Sequence, residues 1–312
     1  MRFRNFFLSQ KTVAAAGLTI YKGIFRYIAL EQQNDDSYLV SNALADHVND
    51  SLPYSRVFEK LAAFSKERSN LSVSLPISET MVKVLYLPMN FEDAKKSLRY
   101  ELEKFFPISS SEAVFDIAEV DFPFDDQYEG SHYLVAVAKK SSVNELLDAA
   151  KRYGFKVECI EPAQIALERA VSAFARQTPT VFVYMGSRYI QYILFWNNNG
   201  ICYRASDLNN YEVPDSLNAD EMKDIKIVNF ARELQLFLED SYSDTKISAK
   251  SVVMFGPSAT RELCIQMEEK FPVKFDCINI MELNGIEMED ADNVEGYWDI
   301  PIGLALRHFD GS

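Results

Sequence analysis

One pattern occurs twice in this chain, and it limits the fold more than any other feature. Val13-Ala14-Ala15-Ala16-Gly17-Leu18-Thr19-Ile20 is apolar. It passes through Tyr21-Lys22-Gly23 into a β-forming run from Ile24 to Leu30, with Tyr38-Leu39-Val40 beyond. The pattern recurs from Thr180 to Tyr184, with Gly186 at its end. Ile190 to Trp196 follows, then the turn Asn197-Asn198-Asn199-Gly200, then Ile201 to Arg204. Short β-rich runs bounded by glycine and asparagine read as strands, and Asn-Gly is a strong hairpin signal. Each half therefore opens strand, glycine, strand, turn, strand. Such a unit, repeated with helices between, predicts two related α/β halves around a cleft.

The stretches between the repeats fill in the frame. Val57, Leu61 and Phe64 have helical spacing, and Leu71 to Leu75 and Met81 to Leu87 read as strands ending at Pro76 and Pro88. Phe91, Ala94, Leu98, Leu102 and Phe105 mark one face of a helix that Pro107 should end. Ala113 to Val120 and Tyr133 to Ala138 are expected strands, joined by a loop containing Asp125-Asp126. Ser141 or Ser142 is placed to cap a helix running to Tyr153, with Gly154 as its stop. Lys156 to Ile160 reads as a strand and Pro162 to Arg176 as a helix. A helix reaching Asp240, a buried strand at Val252 to Phe255 and a helix over Ala259–Lys270 follow. The last signals are a strand at Val273 to Ile278 and an apolar helix from Ile302.

Charge excludes one class of partner. Acidic residues outnumber basic ones 46 to 32, for a net charge of −14, and no basic run offsets them. A phosphate backbone is repelled by that balance, so nucleic acid is not an expected partner. Cys159, Cys202, Cys264 and Cys277 form no CxxC pair, and His47, His132 and His308 have no ligand spacing, so no metal site is expected. No stretch approaches the roughly 20 apolar residues that span a bilayer. Arg2-Phe3-Arg4-Asn5-Phe6-Phe7-Leu8 mixes cations with aromatics and can touch an anionic membrane surface, although a frayed or packed terminus is the plainer reading.

Several motifs, in order, resemble the PilM family of type IV pilus assembly proteins, which is related to the division protein FtsA. Gly17 to Leu30 lines up without gaps on that family's first hairpin, GxDIGSSSIKAVxL. Leu71 to Pro88 looks like its strand pair ending in leucine-proline. Ala94 to Pro107, AKKSLRYELEKFFP, is similar to its ALRYEAEKYIPFP helix. Tyr184 to Gln191 lines up on its second hairpin, DIGASSTD, Phe255-Gly256-Pro257-Ser258 stands where it has SGGG, and Ile302 to Arg307 matches its ending. The resemblance implies an α/β, actin-like (ribonuclease H-like) two-domain fold with a small inserted α+β subdomain. The implied divisions are 1–88 for the first part of domain I, 89–160 for the insert, 161–178 for a return helix and 179–312 for a shortened domain II.

The departures from the family are chemically specific. Thr19, Tyr184 and Gln191 stand where it has aspartates, and Tyr21 where it has the turn glycine. Magnesium is held by carboxylates and waters, and a bulky side chain crowds a backbone that must approach phosphate. Ser206 to Ile225 is short where the family carries several helices. Lys22, Gly23, Gly186, Ser187 and Gly256 mark a vestigial nucleotide cleft. At each, an ordinary hairpin or strand turn outweighs a phosphate contact. ATP with Mg2+ is therefore a doubtful cofactor, and no catalytic residue is assigned.

In the resembled family, the inserted subdomain receives the N-terminal cytoplasmic tail of an inner-membrane partner, PilN. The resemblance thus implies a non-catalytic scaffold on the cytoplasmic face of the inner membrane, open also to self-association. Leu98, Leu102, Phe105 and Phe106 are the expected partner-binding residues, although packing explains their spacing in part. An active actin-like ATPase is one alternative. A GspL-like secretion domain or an FtsA-like division protein is another.

Overall fold

The computed structural model describes residues 14–21, 23–33, 37–48, 53–65, 70–123, 130–174, 178–186, 189–207, 219–288 and 298–309. In chain order the elements are β1 (Ala14–Tyr21), β2 (Ile24–Gln32), β3 (Tyr38–His47), α1 (Pro53–Phe64), β4 (Asn70–Ser74) and β5 (Thr80–Leu87). Then come α2 (Phe91–Glu101), β6 (Ala113–Val120), β7 (Ser131–Lys139), α3 (Lys140–Arg152), β8 (Val157–Ile160) and α4 (Ala163–Val171). The second half has β9 (Thr180–Met185), β10 (Tyr189–Trp196), β11 (Asn199–Asp207), α5 (Ala219–Thr245), β12 (Ser251–Phe255) and α6 (Arg261–Glu268). It closes with β13 (Lys274–Cys277), α7 (Ile280–Leu283), β14 (Ile286–Glu287) and α8 (Asp299–Leu306).

The repeat read in the sequence is a repeat of topology. The first sheet is ordered β14-β3-β2-β1-β4-β8 and the second β11-β10-β9-β12-β13. In both, a three-stranded meander is extended by two strands running parallel to its first. The Asn197-Asn198 turn has φ of 44° and 65° at its two central residues, the left-handed pair that a tight hairpin needs.

Layers follow from which faces are apolar. α1 and α3 cover the outer face of the first sheet, around Phe58, Leu61, Leu146 and Ala150. α5 and α6 cover the outer face of the second, around Phe230, Phe237 and Met267. α4 and α8 lie between the sheets, where Ile28, Leu167, Phe182, Phe255 and Ile302 share one core. α8 fits only through glycine. A Cβ on Gly17 of β1 would lie 1.9 Å from the Pro301 carbonyl oxygen, and one on Gly303 would lie 1.9 Å from that of Ala166 in α4.

The third sheet, ordered β5-β7-β6, packs its apolar face on α2. It changes the expected divisions. β5, assigned above to domain I, is an edge strand of the small sheet, whereas α3 and β8, assigned to the insert, belong to the first half. Period-2 apolarity shows that a segment is a strand but not which sheet receives it.

Local chemistry moves several boundaries. α2 tightens to a 3-10 turn over Leu102–Lys104, where Phe105 and Phe106 both donate to the Leu102 carbonyl. The helix thus stops before Pro107, because the residue ahead of a proline avoids the α region. α3 starts at Lys140, ahead of either predicted serine cap, since the Lys140 N–H is taken by the Glu112 carbonyl at 2.8 Å. Its stop is as expected, with Gly154 at φ +77°. Asn90 caps α2 instead, accepting from the Asp93 N–H at 3.0 Å.

Candidate functional site

The two repeated hairpins meet across a cleft between the halves. It is lined by Thr19, Tyr21 and Arg26 from one hairpin and Tyr184, Gly186, Tyr189 and Gln191 from the other. The four substitutions singled out in the sequence, scattered from residue 19 to residue 191, thus converge on one cavity of about 80 Å³. Small-molecule pockets run to about 300–1,000 Å³. No carboxylate lines this one among the described residues.

Tyrosines fill the space. The rings of Tyr21 and Tyr189 meet edge to face, centroids 5.2 Å apart. The Tyr184 ring is wedged between two glycine turns: a Cβ on Gly186 would come within 3.0 Å of it, and one on Gly256 within 2.8 Å. Gly256, at φ +95°, is the strand-to-helix turn. The backbone around these turns is largely spent internally. The Gly186 N–H donates to the Tyr189 carbonyl at 2.9 Å, and the Ser258 N–H to that of Met185 at 3.0 Å. Gly23, at φ +76°, accepts from the Val48 N–H through its carbonyl. Phosphate cradles need N–H groups turned outward. Among the described residues the Gln191 side-chain oxygen, buried in this lining, has no hydrogen-bond partner. Lys22, Ser187 and Asp125-Asp126 lie outside the described residues.

The expected partner-binding residues are not a surface. Leu98, Leu102 and Phe106 are buried under the small sheet, packed with Tyr133, Val135 and Val137, and Phe105 packs against that cluster. The helix periodicity that marked them reports the core of the insert.

The opposite face of that sheet is only partly covered, with Val120 and Leu134 packed into the core of the second half. Between it and the first half runs a groove of about 220 Å³, lined by Val114 and Asp116 of β6, Ala136 and Ala138 of β7, Val143 of α3, and Ile160 to Pro162. The small side chains of Ala136 and Ala138 keep it clear. β6 and β8 are edge strands of their sheets, so backbone donors and acceptors border the groove. The Thr80 hydroxyl, on its wall, is buried without a hydrogen-bond partner. Thr80 and Ala138 are partners across β5 and β7, which gave no signal in the sequence because the pairing is long-range.

An ion network anchors the groove. Glu161, at its edge, takes Arg169 at 2.6 Å and Arg307 at 3.0 Å, tying α4 and the end of α8 to β8. His308 hydrogen-bonds Ser72 at 3.0 Å, and its pKa is lowered mainly by burial. His132 stacks on Phe122. A second carboxyl, that of half-buried Glu168 of α4, accepts from the Gly200 N–H at 2.8 Å and from the Tyr203 hydroxyl, and desolvation raises its pKa. It joins the inter-sheet layer to the β10–β11 turn. Among the described residues no cluster of three or more His, Cys, Asp or Glu is arranged to hold a metal. No described helix is long and apolar enough to cross a membrane.

No family model and no curated protein matches the sequence. Solved structures match the fold. A PilM–PilN type IV pilus biogenesis complex superposes with TM-score 0.75 at 16% identity, over 95% of this chain and 99% of that one. The cytoplasmic domain of EpsL, an inner-membrane component of the Vibrio cholerae type II secretion system, gives 0.53 at 12% identity, over 87% and 92%. A Bacteroides thetaiotaomicron protein with an actin-like ATPase fold and unknown function gives 0.50 at 11% identity, over 86% and 95%. The chain has the actin-like fold.

Proposed function

We propose that this chain is a non-catalytic scaffold, used as PilM-like proteins are, that holds the cytoplasmic tail of an inner-membrane assembly protein of a type IV pilus or related secretion machine. The observation that carries the proposal is the cleft. The turn glycines Gly186 and Gly256 are packed by Tyr184, its mouth is crossed by Tyr21 and Tyr189, and its liners among the described residues include no carboxylate. In this reading the tyrosines take the room a nucleotide would need, and the described liners offer no carboxylate to a metal.

The groove between β6 and β8 is the seat proposed for the tail. An extended peptide there gains backbone hydrogen bonds from an edge strand, and apolar contacts with Val114, Ala138 and Val143. The Thr80 hydroxyl would find a partner on the peptide. The likeness to a PilM–PilN complex supports this reading, as does the retained three-stranded insert. In this role the protein sits at the cytoplasmic side of the inner membrane. The fit to the EpsL cytoplasmic domain supports a second reading, in which the machine is a type II secretion system.

Titration calorimetry of the full chain against synthetic N-terminal tails of inner-membrane pilus and secretion proteins tests the seat. Saturable binding of one tail, abolished by Ala138→Trp, is expected. Micromolar binding of ATP with magnesium in the same instrument would overturn the scaffold reading in favour of an active ATPase.

A further inference from the structure

Spacing along the chain does not pair Cys264 with Cys277, but the fold does. Cys264 sits on α6, which joins β12 to β13, and these strands are parallel neighbours with Met254 opposite Cys277. Residues in register on adjacent strands point to the same side of a sheet. That side is the one covered by α6, since Met254, Phe275 and Cys264 share one core and Cys277 lies two residues beyond Phe275. Three sulfurs from three adjacent elements therefore converge.

The distances suit a shared ligand set. The Cys264 Sγ is 3.6 Å from the Met254 Sδ. It is also in hydrogen-bond contact with the Cys277 thiol. Three sulfurs held at about 2.3 Å in one plane around an ion stand about 4 Å from one another. Small side-chain shifts therefore close a trigonal site. Neighbouring carboxylates are engaged elsewhere: Glu268 accepts from the Phe275 N–H at 2.9 Å, and Asp276 pairs with Lys274 at 2.7 Å. Access comes from one side. Met254 and Cys264 are buried, whereas Cys277 is exposed and lines an open cavity of about 410 Å³ beside Gly256 and Asn279.

We propose that Cys264, Cys277 and Met254 form a binding site for a soft monovalent metal ion, Cu(I). On binding, the ion displaces the protons of both thiols to solvent and takes two thiolates and one thioether. Soft sulfur donors select Cu(I) over magnesium, calcium and manganese, which take oxygen. A structural zinc site wants four ligands, and no cluster of three or more His, Cys, Asp or Glu stands among the described residues. The bound ion ties α6 to β12 and β13 at the edge of the second sheet. The site is separate from the tail groove and does not depend on the scaffold reading.

Anaerobic titration of the full, reduced chain with Cu(I) held by the coloured chelator bathocuproine disulfonate decides it. The chain should withdraw one Cu(I) from the chelator, and X-ray absorption should show three sulfur neighbours with no nitrogen or oxygen. Losing an outer-shell partner already costs about 10–100-fold in metal affinity, so Cys277→Ser should weaken binding by more than about a hundredfold. Met254→Leu, close in volume, should weaken it by about tenfold or more. Circular dichroism of both variants should match the parent. Failure to draw Cu(I) from the chelator, uptake that survives Cys277→Ser, or copper bound through nitrogen or oxygen overturns the proposal. So does a two-sulfur site indifferent to Met254→Leu.

Discussion

Tyr21 and Tyr189 close the cleft from opposite hairpins, their ring planes at 73° and their centroids 5.2 Å apart. They occupy corresponding turns of the two repeats, so one contact joins the halves at the place where a nucleotide would hold them together. A double-mutant cycle, Tyr21→Ala and Tyr189→Ala, should give a coupling of about 0.5–1.5 kcal/mol in denaturant-measured stability. The parent protein should show flat heats with ATP and magnesium.

Leu98 and Ala138 separate packing from binding. Leu98→Ala should cost about 2–5 kcal/mol of stability, because the side chain is fully buried under the small sheet. Tail affinity at a temperature where that variant is still folded should be near that of the parent. Ala138→Trp should do the reverse: denaturation changes little, and calorimetry shows the tail excluded.

Asp299 makes stability depend on pH. Burial raises its pKa to about 7, against roughly 3.9 in an unfolded chain. Between those values the folded state binds the proton and the unfolded state does not, so this group lowers stability as pH rises from about 4 to about 7. Asp299→Asn should raise the melting temperature at pH 8 and flatten the slope across that window. Thermal scans from pH 5 to pH 8 check both.

Glu161 is a buried carboxylate held by two guanidinium groups, Arg169 and Arg307. Glu161→Ala takes the ion-pair partner from Arg169, whose side chain is 13% exposed, at a cost of about 3–5 kcal/mol. Arg307→Ala should cost less, since that side chain is 46% exposed and Arg169 keeps Glu161 paired. Urea midpoints of the two variants order them.

Gly303→Ala tests the interlock of α8 with α4. The added Cβ would lie 1.9 Å from the Ala166 carbonyl, so backbone must move, at a cost of 1–3 kcal/mol or more. Reduced stability is expected, read by denaturant titration.

The sequence by itself determined the two repeats and most of the elements, because strand and helix periodicities and turn residues act over a few positions. Tyr153-Gly154 and Asn197-Asn198 are examples where local conformational preference alone fixed the outcome. It also marked Thr19, Tyr21, Tyr184 and Gln191 as departures from a pattern. Only the tertiary structure brought those four together and put the Tyr184 ring against both Gly186 and Gly256, because hairpins over 150 residues apart meet through packing that no local signal encodes. The same limit applies at α2. The spacing of Leu98, Leu102 and Phe106 says that one face is apolar, and an apolar face is equally suited to a partner or to the protein's own sheet. The small sheet covers it, and the groove opens on the sheet's other side, where Ala136, Ala138 and Thr80 meet by cross-strand pairing.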